Sequence, residues 1–271
     1  MKTFQPFNLH SHTKRCGHAS GEDEEYVIMA METGFQELGF SDHIMLPGIS
    51  QPGIRGDYSL LDEYLSSVAS LKKKYAGRIQ IEVGFEAEWY GDTFRPYYEK
   101  LLRSKKVRYL ILGQHCFLED GMLHWYGSLP KEEGLRRYRD AVIEGIESGL
   151  FTYVCHPDTY IGWYGCFDDA AKQAAVDICL ASKRNNVPLE INCGPARSRL
   201  PTLLLPENTT YPHAGFWEVA SEIGVPCILG VDAHSPTDYA RTPYEFFAKF
   251  IQDHHLQMVE VSPLTKKTKF K

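Results

Sequence analysis

A chain of 271 residues is long enough to bury a sizeable core, in one large α/β domain or two small ones. With 43% hydrophobic residues, 24% charged residues and a formal net charge of -6, the composition is that of an ordinary globular protein. It carries no general bias toward nucleic acid or anionic membrane, so any phosphate recognition must be local. No stretch approaches the roughly 20 apolar residues of a membrane span, residues 1–6 lack the pattern of a signal peptide, and the cytoplasm is the expected compartment. The seven cysteines are scattered without CxxC spacing and give no sign of a disulfide framework. Cys155, Cys193 and Cys227 lie in apolar runs and read as buried thiols.

In chain order, apolar runs rich in β-branched and aromatic residues occur at 7–10, 37–41, 79–85, 109–113, 152–155, 189–192 and 227–231. Segments with helical periodicity begin between them, near Gly21, Tyr58, Thr93, Pro130, Asp168 and Tyr211, and again after Ser235. Strands alternating with helices imply a parallel sheet with right-handed crossovers. Almost every run ends in a His, Asp or Glu: His10 and His12, Asp42 and His43, Glu86, His115, His156, and Asp232 and His234. An open sheet would spread these ends along a line at about 4.8 Å per strand, whereas a closed barrel brings them to one face. Their convergence favours closure. Without a linker, repeat or low-complexity stretch, residues 1–271 read as a single domain. The lysine-rich end, Lys266, Lys267, Lys269 and Lys271, reads as a solvated tail.

His10 and His12 are two apart in a strand and aim both imidazoles at one face. Adding His18, His43, His115, His156, His234, Glu86 and Asp232 gives seven histidines and two carboxylates at strand ends or just after the first strand. Gathered in one pocket, they would be a costly excess of buried polar groups unless cations compensate them. Imidazole and carboxylate donors without thiolates suit Zn, Mn or Fe in an open hydrolytic site. One ion rarely takes more than about four to six protein donors, so nine imply roughly two to three divalent ions sharing a carboxylate. Such a centre activates water and neutralises charge on a phosphate or carbonyl oxygen.

The motifs His10-Ser11-His12, Cys16-Gly17-His18-Ala19, Phe40-Ser41-Asp42-His43, Gly84-Phe85-Glu86-Ala87, Gly113-Gln114-His115, Cys155-His156-Pro157-Asp158, Leu189-Glu190-Ile191-Asn192 and Gly230-Val231-Asp232-Ala233-His234-Ser235 resemble the polymerase and histidinol phosphatase (PHP) family. The resemblance runs from about residue 7 to 260, and the order and spacing are most similar to its monofunctional histidinol-phosphate phosphatases. It implies a distorted (β/α)7 barrel with a trinuclear centre at the C-terminal face of the strands. In that arrangement His10, His12, Glu86 and Asp232 surround one ion, Glu86 bridges to a second held with His115 and His156, and His18, His43 and His234 hold the third. Glu86, Asp232 and His234 then stand at the catalytic centre, and Asp42 orients an imidazole from behind.

The implied reaction is hydrolysis of a phosphomonoester, most simply L-histidinol phosphate to L-histidinol and phosphate in histidine biosynthesis, by in-line attack of a metal-bridging hydroxide. The alternative within the family is another small phosphate, such as a nucleotide or sugar phosphate. For the substrate's phosphate, Arg197 and Arg199 follow the strand at 189–192, and Arg15 and Arg55 are further candidates. Trp163 stands in a loop where some family members carry an arginine, and there it stacks on the substrate's ring or shuts the pocket. Glu82, His124, His213, His254 and His255 read as structural or surface residues. The partners expected are a small phosphorylated substrate, with no nucleic acid and no membrane, for a monomer or homodimer. An amidohydrolase of the type that uses a carboxylated lysine is disfavoured, because Glu86 stands at the strand end where that lysine would be needed.

Overall fold

The computed structural model describes residues 3–199 and 211–265; the tail lysines Lys266, Lys267, Lys269 and Lys271 and the side chain of Arg199 lie outside the described residues. Strands and helices alternate along most of the chain: β1 (Phe7–Asn8), α1 (Asp23–Thr33), β2 (Glu37–Phe40), α2 (Leu61–Lys74), β3 (Gln80–Ala87), α3 (Arg95–Arg103) and β4 (Tyr109–Leu112) come first. A hairpin of β5 (Cys116–Glu119) and β6 (Met122–Trp125) follows, then α4 (Lys131–Glu147), α5 (Tyr160–Tyr164), α6 (Asp169–Asn185), β7 (Leu189–Asn192) and α7 (Gly194–Arg199). The chain ends with α8 (Ala214–Ile223), β8 (Pro226–Gly230), α9 (Asp238–Arg241), α10 (Tyr244–Asp253) and β9 (Gln257–Met258).

Local chemistry sets these boundaries. The helix foreseen near Gly21 opens on a reciprocal capping box between Glu22 and Glu25, and closes where Gly34 turns left-handed at φ 102°. Asp168 caps α6 by accepting from the Ala171 N–H at 3.0 Å. Along α2, Tyr64, Leu65, Val68 and Leu71 form the buried stripe, and Lys72, Lys73 and Lys74 sit in the last turn, where a cation is favoured.

The parallel sheet is curled. Parallel ladders join β1 through β4 in order, and β7 to β8 to β9. The run at 152–155, expected as a strand, forms no continuous ladder, although its backbone bonds to both neighbours, Thr152 and Cys155 donating to the Leu110 and Leu112 carbonyls and Val154 to that of Pro188. It contributes single bridges from Val154 to Leu112 and to Leu189. At the opposite seam Ser11 bridges Ala233. Below it, side-chain amides replace backbone partners: Gln5 accepts from the Leu229 N–H at 2.9 Å and donates to the Leu229 carbonyl at 2.7 Å, and Asn8 accepts from the Val231 N–H at 2.9 Å.

Alternate residues of separated strands meet inside the curl. Phe7, Leu9, Tyr109, Ile111, Tyr153, Cys155 and Ile228 form an apolar plug distinct from the larger core between sheet and helices. One step further along two of these strands stand Gly113 and Gly230. A Cβ on Gly113 would lie 2.0 Å from Glu86 Oε1, and one on Gly230 would lie 2.1 Å from Glu190 Oε2. The plug is thus a floor, and the missing side chains make room above it for two buried carboxylates. No helix among the described residues is long and apolar enough to cross a membrane.

Candidate metal centre

The donors foreseen in the sequence converge above this floor. His10 and His12 are fully buried, while the intervening Ser11 turns away to meet the Tyr239 hydroxyl at 2.7 Å. The two imidazoles bring their Nε2 atoms to 3.2 Å, and Asp232 Oδ1 lies 3.4 Å from His10 Nε2 and 3.1 Å from His12 Nε2. Glu86 stands between groups. Its Oε2 is 3.0 Å from His43 Nδ1, 3.5 Å from His12 and 3.7 Å from His10, while its Oε1 is 2.7 Å from His156 Nε2 and 3.4 Å from His115 Nε2. His234 stacks on His12 at a ring distance of 4.0 Å and meets His18 Nε2 at 3.0 Å. The third grouping differs in detail from expectation. Within 4.8 Å the structure groups His12, His43 and His234, and the exposed His18 joins through His234.

Where the outer ring nitrogen carries the proton, the inner nitrogens of this cluster face one another and the carboxylates, acceptor toward acceptor. His10 Nδ1 contacts Glu190 at 2.9 and 3.1 Å, His115 Nδ1 contacts Glu88 at 3.4 Å, and His234 Nδ1 contacts the Asp232 carbonyl at 3.2 Å. Each contact fixes the tautomer with its proton on the outer nitrogen, and so turns the Nε2 lone pair inward, toward the other lone pairs and the carboxylates. His12 Nδ1, 3.6 Å from Asp42, is buried without a hydrogen-bond partner among the described residues. Converging lone pairs on a carboxylate-rich floor are what a divalent cation requires, so the donor set fits metal ions.

The electrostatics divide the cluster. Burial pushes the Glu86 carboxyl up, but His115, His43 and His10 outweigh it and hold the group well below the usual range; at Asp232, burial is likewise overcome by His10 and His234. Burial holds His43 well below its ordinary value and, with His12 beside it, brings His234 down to about 3. His10 and His12 shift the other way: burial opposes it, yet Glu190 and Asp232 raise His10, and the neighbouring Asp232 and Asp42 carboxylates bring His12 to about 9. The carboxylates, His43 and His234 are thus held in the forms that ligate, while His10, His12 and His115, where burial is likewise overcome by Glu86 and Glu88, would each give up a proton to a bound cation.

Several residues read from sequence have other partners. Arg197 is nearly buried and engages the Val231 carbonyl, the Asp232 carbonyl at 2.6 Å and Asp238 at 3.4 Å. It braces the turn in which Asp232 takes φ 52°, a left-handed conformation costly for a non-glycine residue. Arg15 pairs with Asp23 at 2.8 Å and with Glu63 at 2.5 Å, on the α1–α2 side. Arg55 is buried and forks onto Glu88 at 2.7 and 3.2 Å, so Glu88, just past the end of β3, supports His115, and Glu86, two residues back within β3, faces the cluster. Asp42 accepts from the His43 N–H at 2.9 Å and from the Thr13 hydroxyl, beside His12. Glu82 pairs with Lys72 at 2.7 Å and His124 stacks on Phe117, as expected of structural residues. His213, expected at the surface, is buried where its backbone N–H donates to Asp158 at 2.8 Å.

Two residues escaped sequence reasoning. Glu190 has no exposure and orients His10; its alternation with Asn192, which donates to it at 2.6 Å, was the available signal. Trp125, on the hairpin, lines the cavity of about 250 Å³ over the histidines, whereas Trp163 packs on Tyr126 and Tyr138 and does not line it.

Fold and site together define an α/β protein whose strand ends gather a polyhistidine, carboxylate-bridged set of cation donors. Residues 8–194 match the PHP domain, and the chain belongs to that family. It is 30% identical over 234 residues to a Deinococcus radiodurans protein named "Probable histidinol-phosphatase", covering 84% of this chain and 85% of the relative. A Bacillus subtilis histidinol-phosphatase is 25% identical over 269 residues, covering 88% of this chain and 96% of the relative. Among solved structures, histidinol phosphate phosphatase from Lactococcus lactis, determined with zinc, L-histidinol and phosphate, superposes with a TM-score of 0.70 at 16% identity, covering 96% of this chain and 98% of that one.

Proposed function

We propose that this chain is a metal-dependent phosphomonoesterase that hydrolyses L-histidinol phosphate to L-histidinol and phosphate. In this reading residues 1–271 form one distorted (β/α)7 barrel, with roughly two to three divalent ions, Zn, Mn or Fe, at the C-terminal ends of its strands. The observation that carries the chemistry is the inward convergence of lone pairs on Glu86 and Asp232. The histidinol-phosphatase relatives that align along most of their length support the substrate.

In such a site His10, His12, Glu86 and Asp232 would hold one ion, Glu86, His115 and His156 a second, and His18, His43 and His234 a third. Bound ions would activate water and neutralise charge on the phosphoryl oxygens. The protein's own part is placement. Glu86 reaches both sides of the cluster, so one carboxylate sets the spacing between groups. Glu190, Glu88 and the Asp232 carbonyl fix three imidazoles in the ligating tautomer. Arg197 holds the Asp232 turn, and the apolar plug closes the cavity from below.

The test is a phosphomonoester panel assayed with metal analysis of the same preparation. A kcat/KM for histidinol phosphate at least about tenfold above nucleotide and sugar phosphates, equivalent to roughly 1.4 kcal/mol, is expected. A smaller advantage would assign the site to another small phosphate. Loss of activity on chelation and its return with Zn or Mn are expected, and full activity in metal-free protein would refute the mechanism.

A further inference from the structure

Trp125 is the unusual tryptophan of this chain. Of the four, Trp89 donates its indole N–H to Glu144 at 3.1 Å, Trp217 donates to Asp158 at 3.2 Å, and Trp163 stacks on Tyr126 at 6.4 Å. Among the described residues Trp125 has neither an aromatic partner nor an indole hydrogen bond, and it is 51% exposed. A large aromatic surface left in water is a cost that a ligand would relieve.

Its position is fixed although its ring is free. In the β5–β6 register Trp125 pairs with Cys116, the residue immediately after His115. The hairpin is held on both sides of it. His124 stacks on Phe117 at 5.4 Å, the Arg137 guanidinium lies 4.0 Å from the Phe117 ring centre, and the buried Tyr126 hydroxyl accepts from Gln114 Nε2 at 2.8 Å. A rigid mount thus presents one unpartnered indole to the same cavity that His12, His43, Glu86, His115 and Asp232 line. Gly53 and Ile54, from the loop after β2, line the same cavity and add no polar side chain to it.

We propose that Trp125 is a specificity-determining residue that stacks on the aromatic heterocycle of the substrate while the phosphate lies at the histidine cluster. The inference rests on the histidinol-phosphate reading above, since histidinol phosphate carries an imidazole three carbons from its phosphate oxygen. An indole face suits an imidazole in either charge state, by stacking when neutral and by cation–π attraction when protonated. It confers nothing on a phosphomonoester without a ring, so its effect is selectivity between substrates.

The experiment compares wild type with Trp125→Ala, Trp125→Leu and Trp125→Phe, as metal-loaded full-length proteins. Two readouts are taken: the ratio of kcat/KM for histidinol phosphate over glycerol phosphate, and calorimetric binding of L-histidinol. Trp125→Ala and Trp125→Leu are expected to lower the ratio about tenfold, mainly through KM, and to weaken L-histidinol binding by a similar factor, while Trp125→Phe retains most of both. Leu preserves apolar bulk without a π face, so full retention by Trp125→Leu would overturn stacking. Ratios and binding within twofold of wild type in all three variants would overturn the role of Trp125 and leave the histidinol-phosphate reading standing. A wild type that hydrolyses glycerol phosphate but neither binds L-histidinol nor prefers its phosphate would overturn both.

Discussion

Glu190→Gln isolates how far the site depends on a residue that does not itself line the cluster. The side chain has no exposure, meets His10 Nδ1 at 2.9 and 3.1 Å, and accepts from Asn192 Nδ2 at 2.6 Å. Glutamine preserves volume and one acceptor. A glutamine carbonyl at the Oε1 position accepts from both His10 and Asn192 but leaves its amide at the Oε2 position, 2.9 Å from the His10 N–H, and the flipped amide faces the Asn192 amide instead, donor against donor in either case. Asn192 cannot turn over to relieve this, because its Oδ1 accepts from the Gly194 N–H at 2.7 Å. One donor is therefore left buried and unsatisfied, at a cost of about 1–3 kcal/mol in stability. Loss of the carboxylate also makes His10 Nε2 a poorer donor to a cation. Outer partners of this kind are worth about 10–100-fold in metal affinity or activity. The expected variant folds, melts several degrees lower, binds metal about 10–100-fold more weakly in a competition titration, and regains part of its activity at high metal. Metal affinity within twofold of wild type would refute the claim that Glu190 sets the His10 tautomer.

Three further outcomes follow from the same geometry. Gly113→Ala places a methyl 2.0 Å from Glu86 Oε1, so metal content and activity should fall far more than circular dichroism changes; retained metal stoichiometry would contradict the packing. Breaking the buried Arg55–Glu88 pair with Glu88→Gln should cost about 3–5 kcal/mol in denaturant unfolding at neutral pH, with His115-dependent metal binding also weakened. Burial opposes it, yet Arg55 and His115 bring the Glu88 carboxyl down from 4.5 to about 2. A folded value below the unfolded one means that this stabilisation is complete above about pH 4.5 and disappears as the pH falls through about 2. Between those values metal-stripped wild type should therefore lose more stability than Glu88→Gln, and parallel curves would reject the pair as its source.

Much of the site was legible before folding because strand alternation and strand-end position are sequence properties. The spacing of His10 and His12, and the recurrence of His, Asp and Glu after almost every apolar run, located donors that, His18 apart, the structure brings within 4.8 Å of one another in overlapping groups. Less legible were the partners of long, flexible side chains. From sequence, Arg197, Arg15 and Arg55 are equivalent guanidiniums near the site; their actual partners, the Asp232 turn, Asp23 with Glu63, and Glu88, come from elements up to dozens of residues away. The two tryptophans show the same limit. Loop position points to Trp163, but the β5–β6 hairpin, invisible as a strand pair in the apolar pattern, carries Trp125 to the cavity.

What the sequence determined by itself was the alternation of strands and helices, the identity of the donors and their membership of one family, because periodicity and spacing encode which face a side chain takes. Tertiary structure alone decided which donors share a carboxylate, which tautomers are enforced, and which aromatic face is left free. Those depend on distances of a few ångströms between strands far apart in the chain. There a glycine at 113 or 230, or a glutamate at 190, acts through the space it leaves or the proton it holds.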